Sequence, residues 1–435
     1  MRVTIQPSRA RGSVTAPPSK SVAHRALIAG AFSGGVLIEN VAYSVDIDAT
    51  LSCLAAFGAR VEKGSNGPAG NVALGGLSLA DIPDDVTLDC HESGSTLRFL
   101  IPIAMLSGKT VHLFGSERLM QRPLGIYADI AAQGGGVFEL SGRMLTVRGG
   151  LSAGRYEIPG NVSSQFITGM IFALSLAGAP SEIVVTGAFE SSSYTDITIR
   201  VLREFGVPVQ REDRKFLIPA NASPRGNFAQ LCRICNYTVE GDCSNAAFLE
   251  ALALLADRGE ARKAGASAQE SPAAAAGSRL SVLGVPADTA QGDRVYYEML
   301  HGLADGSCRE FDLSDCPDLA PCLFAMAAYY GGARFTGTAR LAIKESDRAK
   351  ACAEELAKFG ATVSVGANDV AVSCDMLHAP TELLSGHNDH RIVMALALLC
   401  TVTGGTVDGA EAVAKSYPDF FAVIADAGIA LSWED

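Results

Sequence analysis

A chain of 435 residues, 48% hydrophobic and 19% charged, is long enough for two or three domains and too apolar to be disordered. Its formal net charge of −12 sets the surface as a whole against nucleic acid and anionic membrane, so each cluster of Lys and Arg needs a local reason. Eleven cysteines, an odd number, do not suggest a disulfide framework.

In chain order, residues 1–6 read as the start of a strand, because no apolar stretch and no small-residue cleavage site stand behind their charge. The next segment, 17–25 (PPSKSVAHR), stops an extended run at two prolines and offers Ser19 as a helix cap. Ser21 and Arg25 then share a helix face at i,i+4. Lys20 falls in the first turn, where the helix dipole disfavours a cation unless an anion is bound there.

One pattern recurs along the chain: a helical stretch, a Gly, then a short alternating run. It occurs at 54–61 (LAAFGARV), 130–137 (IAAQGGGV), 202–209 (LREFGVPV), 356–363 (LAKFGATV) and 424–431 (IADAGIAL). A degenerate copy lies at 299–304, around Gly302. Each reads as a helix closed by a left-handed Gly leading into a strand, and six copies spaced by roughly 70 residues predict a repeated α/β subdomain.

Between these copies lie further polar and cationic segments. Residues 92–98 (ESGSTLR) open a helix with Gly94 free to let a ligand reach the backbone, and Arg118 and Arg122 follow, Arg122 before Pro123 at a helix entry. Residues 161–166 (NVSSQF) offer neutral donors in Ser163, Ser164 and Gln165. Cys232 and Cys235 with Cys243 make one CxxC without a second pair, a weak zinc signal, and the preferred reading is free thiols with no metal. Residues 259–278, rich in Ala, Gly, Ser and charge, predict an exposed, mobile insertion.

In the C-terminal half, Asp318 follows Cys316 and Pro317, and Lys344 and Arg348 are expected four apart on one helix face with Glu345 and Asp347 interleaved. Asp389, His390 and Arg391 open an apolar helix, and Lys415 heads the segment KSYPDF. His387 and His390 could be a metal pair, but the adjacent Arg391 suits an anion better. Nucleotide and acyl-hydrolase signatures fail: Ile103 stands where a P-loop ending in Gly108-Lys109-Thr110 needs Gly, and no G-x-G-x-x-G or G-x-S-x-G occurs.

The ordered set SKS-x-x-x-R, SGSTLR, RP at Arg122, SSQ, KESDR, NDHR and KSYPDF resembles the enolpyruvyl transferase family, and within it the 5-enolpyruvylshikimate-3-phosphate synthases, along the whole chain. The resemblance implies an α/β fold of two globular domains, each of three βαβαββ-type units in an inside-out α/β barrel. Its implied boundaries are 1–19 with 238–435, and 20–237, with the active site in the cleft between the domains and closure on substrate. The implied reaction moves the enolpyruvyl group of phosphoenolpyruvate to the 5-hydroxyl of shikimate 3-phosphate, a step of aromatic amino acid biosynthesis.

By the same resemblance, shikimate 3-phosphate is expected at Lys20, Ser21, Arg25, Ser163, Ser164, Gln165, Tyr194, Asp318 and Lys344. Phosphoenolpyruvate is expected at Lys20, Gly94, Arg122, Gln165, Arg348, Arg391 and Lys415, with catalysis at Asp318, Glu345, Lys344, Lys20 and His390. No metal or organic cofactor is implied, and the expected protein is a cytoplasmic monomer that binds neither nucleic acid nor membrane. Some relatives carry Asn where this chain has Glu92 and Arg340. The sister enzymes that use UDP-N-acetylglucosamine have Lys-Asn in place of Lys20-Ser21 and a Cys in the loop corresponding to 114–123, which has none here. A non-catalytic relative would be expected to lose Asp318, Glu345 or Lys344, and all three are present.

Overall fold

In the computed structural model, which describes residues 1–64, 69–220, 226–263 (without the side chains of 258–263) and 280–434, Pro17 and Pro18 mark where the chain leaves one structural unit for another. The first unit is Met1–Pro17 with Gly241–Asp435, and the second is Pro18–Glu240.

The first unit begins with β1 (Arg2–Ile5) and β2 (Gly12–Thr15). The second opens on α1 (Lys20–Ala31), β3 (Val36–Val41), α2 (Val45–Ala56), β4 (Arg60–Gly64) and β5 (Gly70–Gly75). A second repeat runs β6 (Val86–Asp89), α3 (Gly94–Ser107), β7 (Val111–Phe114), α4 (Glu117–Met120), α5 (Gly125–Gln133), β8 (Val137–Ser141) and β9 (Met144–Arg148). A third runs β10 (Arg155–Pro159), α6 (Ser164–Leu176), β11 (Ser181–Thr186), α7 (Ser193–Glu204), β12 (Gln210–Glu212) and β13 (Lys215–Ile218), and β14 (Asn236–Thr238) ends the unit.

The chain re-enters the first unit through α8 (Cys243–Lys263), β15 (Leu280–Leu283) and α9 (Tyr296–Asp305). There follow β16 (Glu310–Asp312), α10 (Ala320–Tyr329), β17 (Gly332–Thr336), α11 (Arg348–Ala357), β18 (Thr362–Val365) and β19 (Asp369–Ser373). The last repeat is β20 (Leu384–Ser385), α12 (His390–Thr403), β21 (Gly405–Asp408), α13 (Phe420–Asp426) and β22 (Leu431–Glu434).

The repeat has one sheet topology. Its first two strands are parallel and its last two return antiparallel, giving the orders β6-β7-β9-β8, β10-β11-β13-β12 and β16-β17-β19-β18. Two sheets borrow a strand from elsewhere in the chain: β14 lies parallel beside β3 in β14-β3-β5-β4, and β1 fills the antiparallel place between β21 and β22. The sixth repeat pairs β2 with β15 and has only these two strands among the described residues. The architecture is therefore α/β with three repeats per unit, five of them complete.

Helices close as the glycine pattern predicts at Gly58 and Gly428, whose φ values of 105° and 104° are left-handed. At 134–136 the left-handed residue is Gly135, not Gly134. The degenerate copy differs more: α9 runs through Gly302 and stops at Gly306 (φ 82°), because Leu300 and Leu303 bury the helix face on both sides of Gly302.

Two other expectations change. Residues 259–263 continue α8 rather than starting an insertion, and 264–278 lie outside the described residues. Lys344 does not share a helix with Arg348; it follows a 3₁₀ turn (Ala339–Ile343), and α11 starts only at Arg348 because Asp347 caps it, accepting from the Lys350 N–H at 3.4 Å. Cys232 and Cys235 belong to the second unit and Cys243 to the first, all as free thiols.

The inner helices are apolar around their circumference, which places them in the core. α6 buries every residue from Phe166 to Leu176 and α12 every residue from His390 to Thr401. Beyond the first turn and its cap their only polar side chains are small hydroxyls (Thr168, Ser175, Thr401 and Thr403), so the amide and charged groups of these helices, Gln165, His390 and Arg391, gather where the helices begin.

Candidate active site

Three serines in the second unit and one aspartate in the first cap helices that carry expected site residues. Ser19 accepts from the Val22 N–H at 3.5 Å, Ser93 from Thr96 at 3.2 Å and Ser163 from Gln165 at 3.3 Å, while in the first unit Asp389 accepts from Arg391 at 3.0 Å. Each helix start presents N–H groups and the positive end of a dipole, a setting that favours anions.

Lys20 is held at the start of α1 by Asp46, Nζ to Oδ2 at 2.8 Å. Arg25, one turn on, is almost wholly buried and largely committed within the protein. Its Nε donates to Thr198 Oγ1 at 2.8 Å, NH1 to the Ser21 carbonyl at 2.6 Å, and NH2 to the Tyr194 carbonyl at 3.0 Å and Thr168 Oγ1 at 3.4 Å. It also lies over the Phe99 ring. Among the described residues four of the five guanidinium N–H bonds are engaged, so the first task of Arg25 is to tie α1 to α6 and α7.

Around Gly94 the structure brings together three of the expected phosphoenolpyruvate contacts. A β-carbon at Gly94 would lie 2.9 Å from Arg122 NH1 and 3.6 Å from both Arg98 NH1 and Gln165 Oε1. The Gln165 amide is oriented at both ends: Arg98 NH1 donates to its oxygen at 2.6 Å, and its nitrogen donates to Ser95 Oγ at 3.1 Å. Behind this shelf a buried chain of hydroxyls joins three helices. His24 Nδ1 meets Thr50 Oγ1 at 2.8 Å, Thr50 meets Thr96 at 2.6 Å, and Thr96 donates to Ser93 Oγ at 2.7 Å.

The first unit carries a denser cluster, centred on Asp318 in the 3₁₀ turn Pro317–Leu319. Its Oδ1 accepts from Lys344 Nζ at 3.1 Å and Arg348 NH1 at 2.8 Å, and its Oδ2 from Arg391 NH2 at 3.2 Å. Arg348, only 1% exposed, also donates from Nε to Asp389 Oδ2 at 2.9 Å and from NH2 to Glu345 Oε2 at 2.8 Å. Arg391 is buried too, yet its Nε and NH1 have no hydrogen-bond partner among the described residues. Lys415 ends a 3₁₀ helix (Ala410–Lys415) and donates to the Asn388 carbonyl at 2.8 Å, and His390 sits buried 3.8 Å from Asp389 Oδ1.

Charge sets the protonation states. Burial would raise the pKa of Asp318, but Arg391, Lys344 and Arg348 outweigh it and hold the carboxyl well below the usual range. Asp389 is likewise held low, burial being overcome mainly by Arg348. Burial lowers Lys344, with Asp318 opposing. The cluster thus sets an ionised carboxylate 3.1 Å from an amine that gives up its proton more readily than a free lysine, the two states that a base and an acid require. Asp293, which accepts from Ser244 Oγ at 2.7 Å, is raised to about 7 by burial and then by the charge of Asp318.

The sequence model of the family described as EPSP synthase (3-phosphoshikimate 1-carboxyvinyltransferase) matches residues 5–424. The chain belongs to the EPSP synthase family. It is similar to 3-phosphoshikimate 1-carboxyvinyltransferases of Clostridium kluyveri, 37% identical with 96% of this chain and 95% of that protein covered, and of Clostridium novyi, 34% identical with the same coverage. Among solved structures it is similar to an EPSP synthase from Acinetobacter baumannii (TM-score 0.69, 23% identity, 99% of this chain and 100% of that one). The enolpyruvyl transferase NikO from Streptomyces tendae is also similar (TM-score 0.71, 15% identity, 99% and 98%). At these identities the two structures speak for the fold alone. Family membership makes the chain a transferase of the shikimate pathway and disfavours the sister-enzyme and non-catalytic readings. No helix among the described residues is long and apolar enough to cross a membrane.

Sequence reasoning missed four residues that the geometry brings forward. Asp46 holds Lys20, Arg98 holds Gln165, Asp389 holds Arg348, and Asp293 lies in the field of Asp318. Arg98 and Asp389 stood inside quoted motifs, whereas Asp46 and Asp293 carried no local signal.

Proposed function

We propose that the chain transfers the enolpyruvyl group of phosphoenolpyruvate to the 5-hydroxyl of shikimate 3-phosphate. The hydroxyl oxygen bonds to C2 of phosphoenolpyruvate while a proton adds to its methylene carbon. The tetrahedral intermediate then loses that proton and phosphate together. Lys20, Ser21, Arg25, Ser163, Ser164, Gln165 and Tyr194 serve shikimate 3-phosphate, and Gly94, Arg122, Arg391 and Lys415 serve phosphoenolpyruvate. Asp318 accepts the hydroxyl proton, Lys344 exchanges the methylene proton, and Glu345 and Arg348 keep both groups in place.

The observation that carries this reading is Arg391: a buried guanidinium tethered to Asp318 through NH2, with no partner for Nε and NH1 among the described residues. Three buried N–H donors beside an ionised carboxylate suit a carboxylate or phosphate ligand, and the charge developing on the leaving phosphate is met by Lys and Arg without a metal. A monomer in the cytoplasm is part of the proposal, and sedimentation of the purified protein tests the monomer.

The test is phosphate release from phosphoenolpyruvate with shikimate 3-phosphate, and separately with UDP-N-acetylglucosamine, each with and without chelator. Release with the first pair alone, unaffected by chelator and lost in Asp318→Ala, is expected. Release only with the nucleotide sugar, or loss on chelation, would overturn the proposal.

A further inference from the structure

Glu355 is charged, its carboxylate is fully buried, and nothing in the proposed reaction uses it. It lies seven residues after Arg348 on the same face of α11, and both oxygens are engaged. Lys358 Nζ donates to Oε1 at 2.9 Å and Oε2 at 3.0 Å, the Ser385 N–H to Oε2 at 2.8 Å, and His387 Nε2 to Oε1 at 3.0 Å. Lys358 also donates to the Leu383 carbonyl at 3.0 Å.

Together with the exposed Glu354 and the half-buried His387, Glu355 has the spacing of a metal-ligand group. The Lys358 ammonium, however, bonds both Glu355 oxygens and meets the buried charge itself. The cluster instead acts on the segment it grips. Between Ser385 and Asp389 the chain turns through two successive left-handed non-glycine residues, His387 (φ 48°) and Asn388 (φ 52°), a conformation that persists only where the surroundings impose it. Glu355 and Lys358 fix the start of this segment, and Arg348, bonded to Asp389, fixes its end. Within it the Asn388 carbonyl receives Lys415, and immediately after it Asp389 caps the helix that begins with His390 and Arg391.

We infer that Glu355 is a positioning residue for anion binding: by clamping Ser385 and His387 it sets the Asn388 carbonyl and, through it, the Lys415 ammonium. This inference rests on the functional reading above for the identity of the anion, but the clamp can be tested without turnover. Glu355→Gln removes the charge that Lys358 requires while keeping an acceptor for Ser385. His387→Gly removes one clamp bond and eases the left-handed turn, so it folds even where Glu355→Gln does not.

In Glu355→Gln the KM for phosphoenolpyruvate is expected to rise about tenfold, with kcat and the KM for shikimate 3-phosphate within about twofold. In His387→Gly the rise is about threefold. In a Lys415→Met background Glu355→Gln should add nothing further, because the two act in series. Labelling of Lys415 by an amine reagent, read by peptide mass spectrometry, should become roughly threefold faster in Glu355→Gln whatever the reaction catalysed. Absence of turnover in the wild-type protein counts against the functional reading, while unchanged Lys415 labelling counts against the clamp. Equal rises in both KM values, or effects that multiply in the Lys415→Met background, would also overturn it.

Discussion

At the scale of single residues, cations and carboxylates here gain their character from specific partners. Asp318 is ionised because three cations converge on it, and among the described residues Arg391 is tethered only through NH2. Gly94 shows the same economy in steric form. A methyl group there would press on Arg122 NH1 at 2.9 Å, and since the contact is the flexible end of a side chain, the guanidinium should move and the fold should survive. Gly94→Ala is therefore expected to raise the KM for phosphoenolpyruvate about tenfold, some 1.4 kcal/mol, while the melting temperature holds. An unchanged KM would mean that Gly94 does not face the ligand.

At the scale of elements, the starts of the inner helices matter most, and they were the most legible part of the sequence. Ser19, Ser93, Ser163 and Asp389 are small polar residues placed just before long apolar stretches, and all four cap. Ser93 does so twice, through the Thr96 N–H at 3.2 Å and the Thr96 hydroxyl at 2.7 Å. Ser93→Ala should therefore cost about 1–2 kcal/mol by urea unfolding, at the upper end for an N-cap, and a loss of a few tenths would show that the hydroxyl chain tolerates the gap. What the sequence hid was pairing across distance. Lys20 finds Asp46 26 residues away and Arg25 finds Thr198 173 residues away, and no periodicity encodes either contact. The spacing of Lys344 and Arg348 misled for a related reason. Four residues suggest one helix face, but Asp347 caps a helix between them, so the two side chains reach Asp318 from different elements. The sixth repeat was hard to read because the closing hairpin of the other repeats is absent from it among the described residues and α9 passes over its glycine.

At the scale of the whole molecule, the two units should answer acid differently. In the second unit His24 is held well below 6.5, chiefly by burial and then by Lys20 and Arg25. Below about pH 6.5 its unfolded form gains a proton that the folded form refuses, so that unit loses about 1.4 kcal/mol per pH unit. In the first unit Asp293 is raised to about 7, so between about pH 7 and pH 4 the folded form keeps a proton that the unfolded form gives up. Its contribution to stability grows as pH falls, until Asp318 and Asp389 begin to be protonated at still lower pH. The single tryptophan, Trp433, lies in the first unit against Phe421 and reports on that unit alone. From pH 7 to pH 5 the unfolding midpoint by tryptophan fluorescence should hold or rise while that by circular dichroism falls, and His24→Asn should abolish the fall. Midpoints that drop in parallel would contradict the assignment.

The strand β1 has a consequence for how the chain could be cut and rejoined. Arg2 stands directly opposite Glu434 across the β1–β22 pair, so the two strands are a hairpin lacking only its turn. A short loop joining them, with the chain opened between Pro17 and Pro18 and between Glu240 and Gly241, would yield one polypeptide reading 241–435 and then 1–17. By pairing alone this rearranged order is the more natural one, since the last repeat would then follow its own sequence from β20 through β22 to β1. Such a permuted fragment should fold by itself, with its half-exposed tryptophan packed edge-on against Phe421 as in the parent, and a fragment that stayed unfolded would show that the first unit depends on the second for more than the route its chain takes.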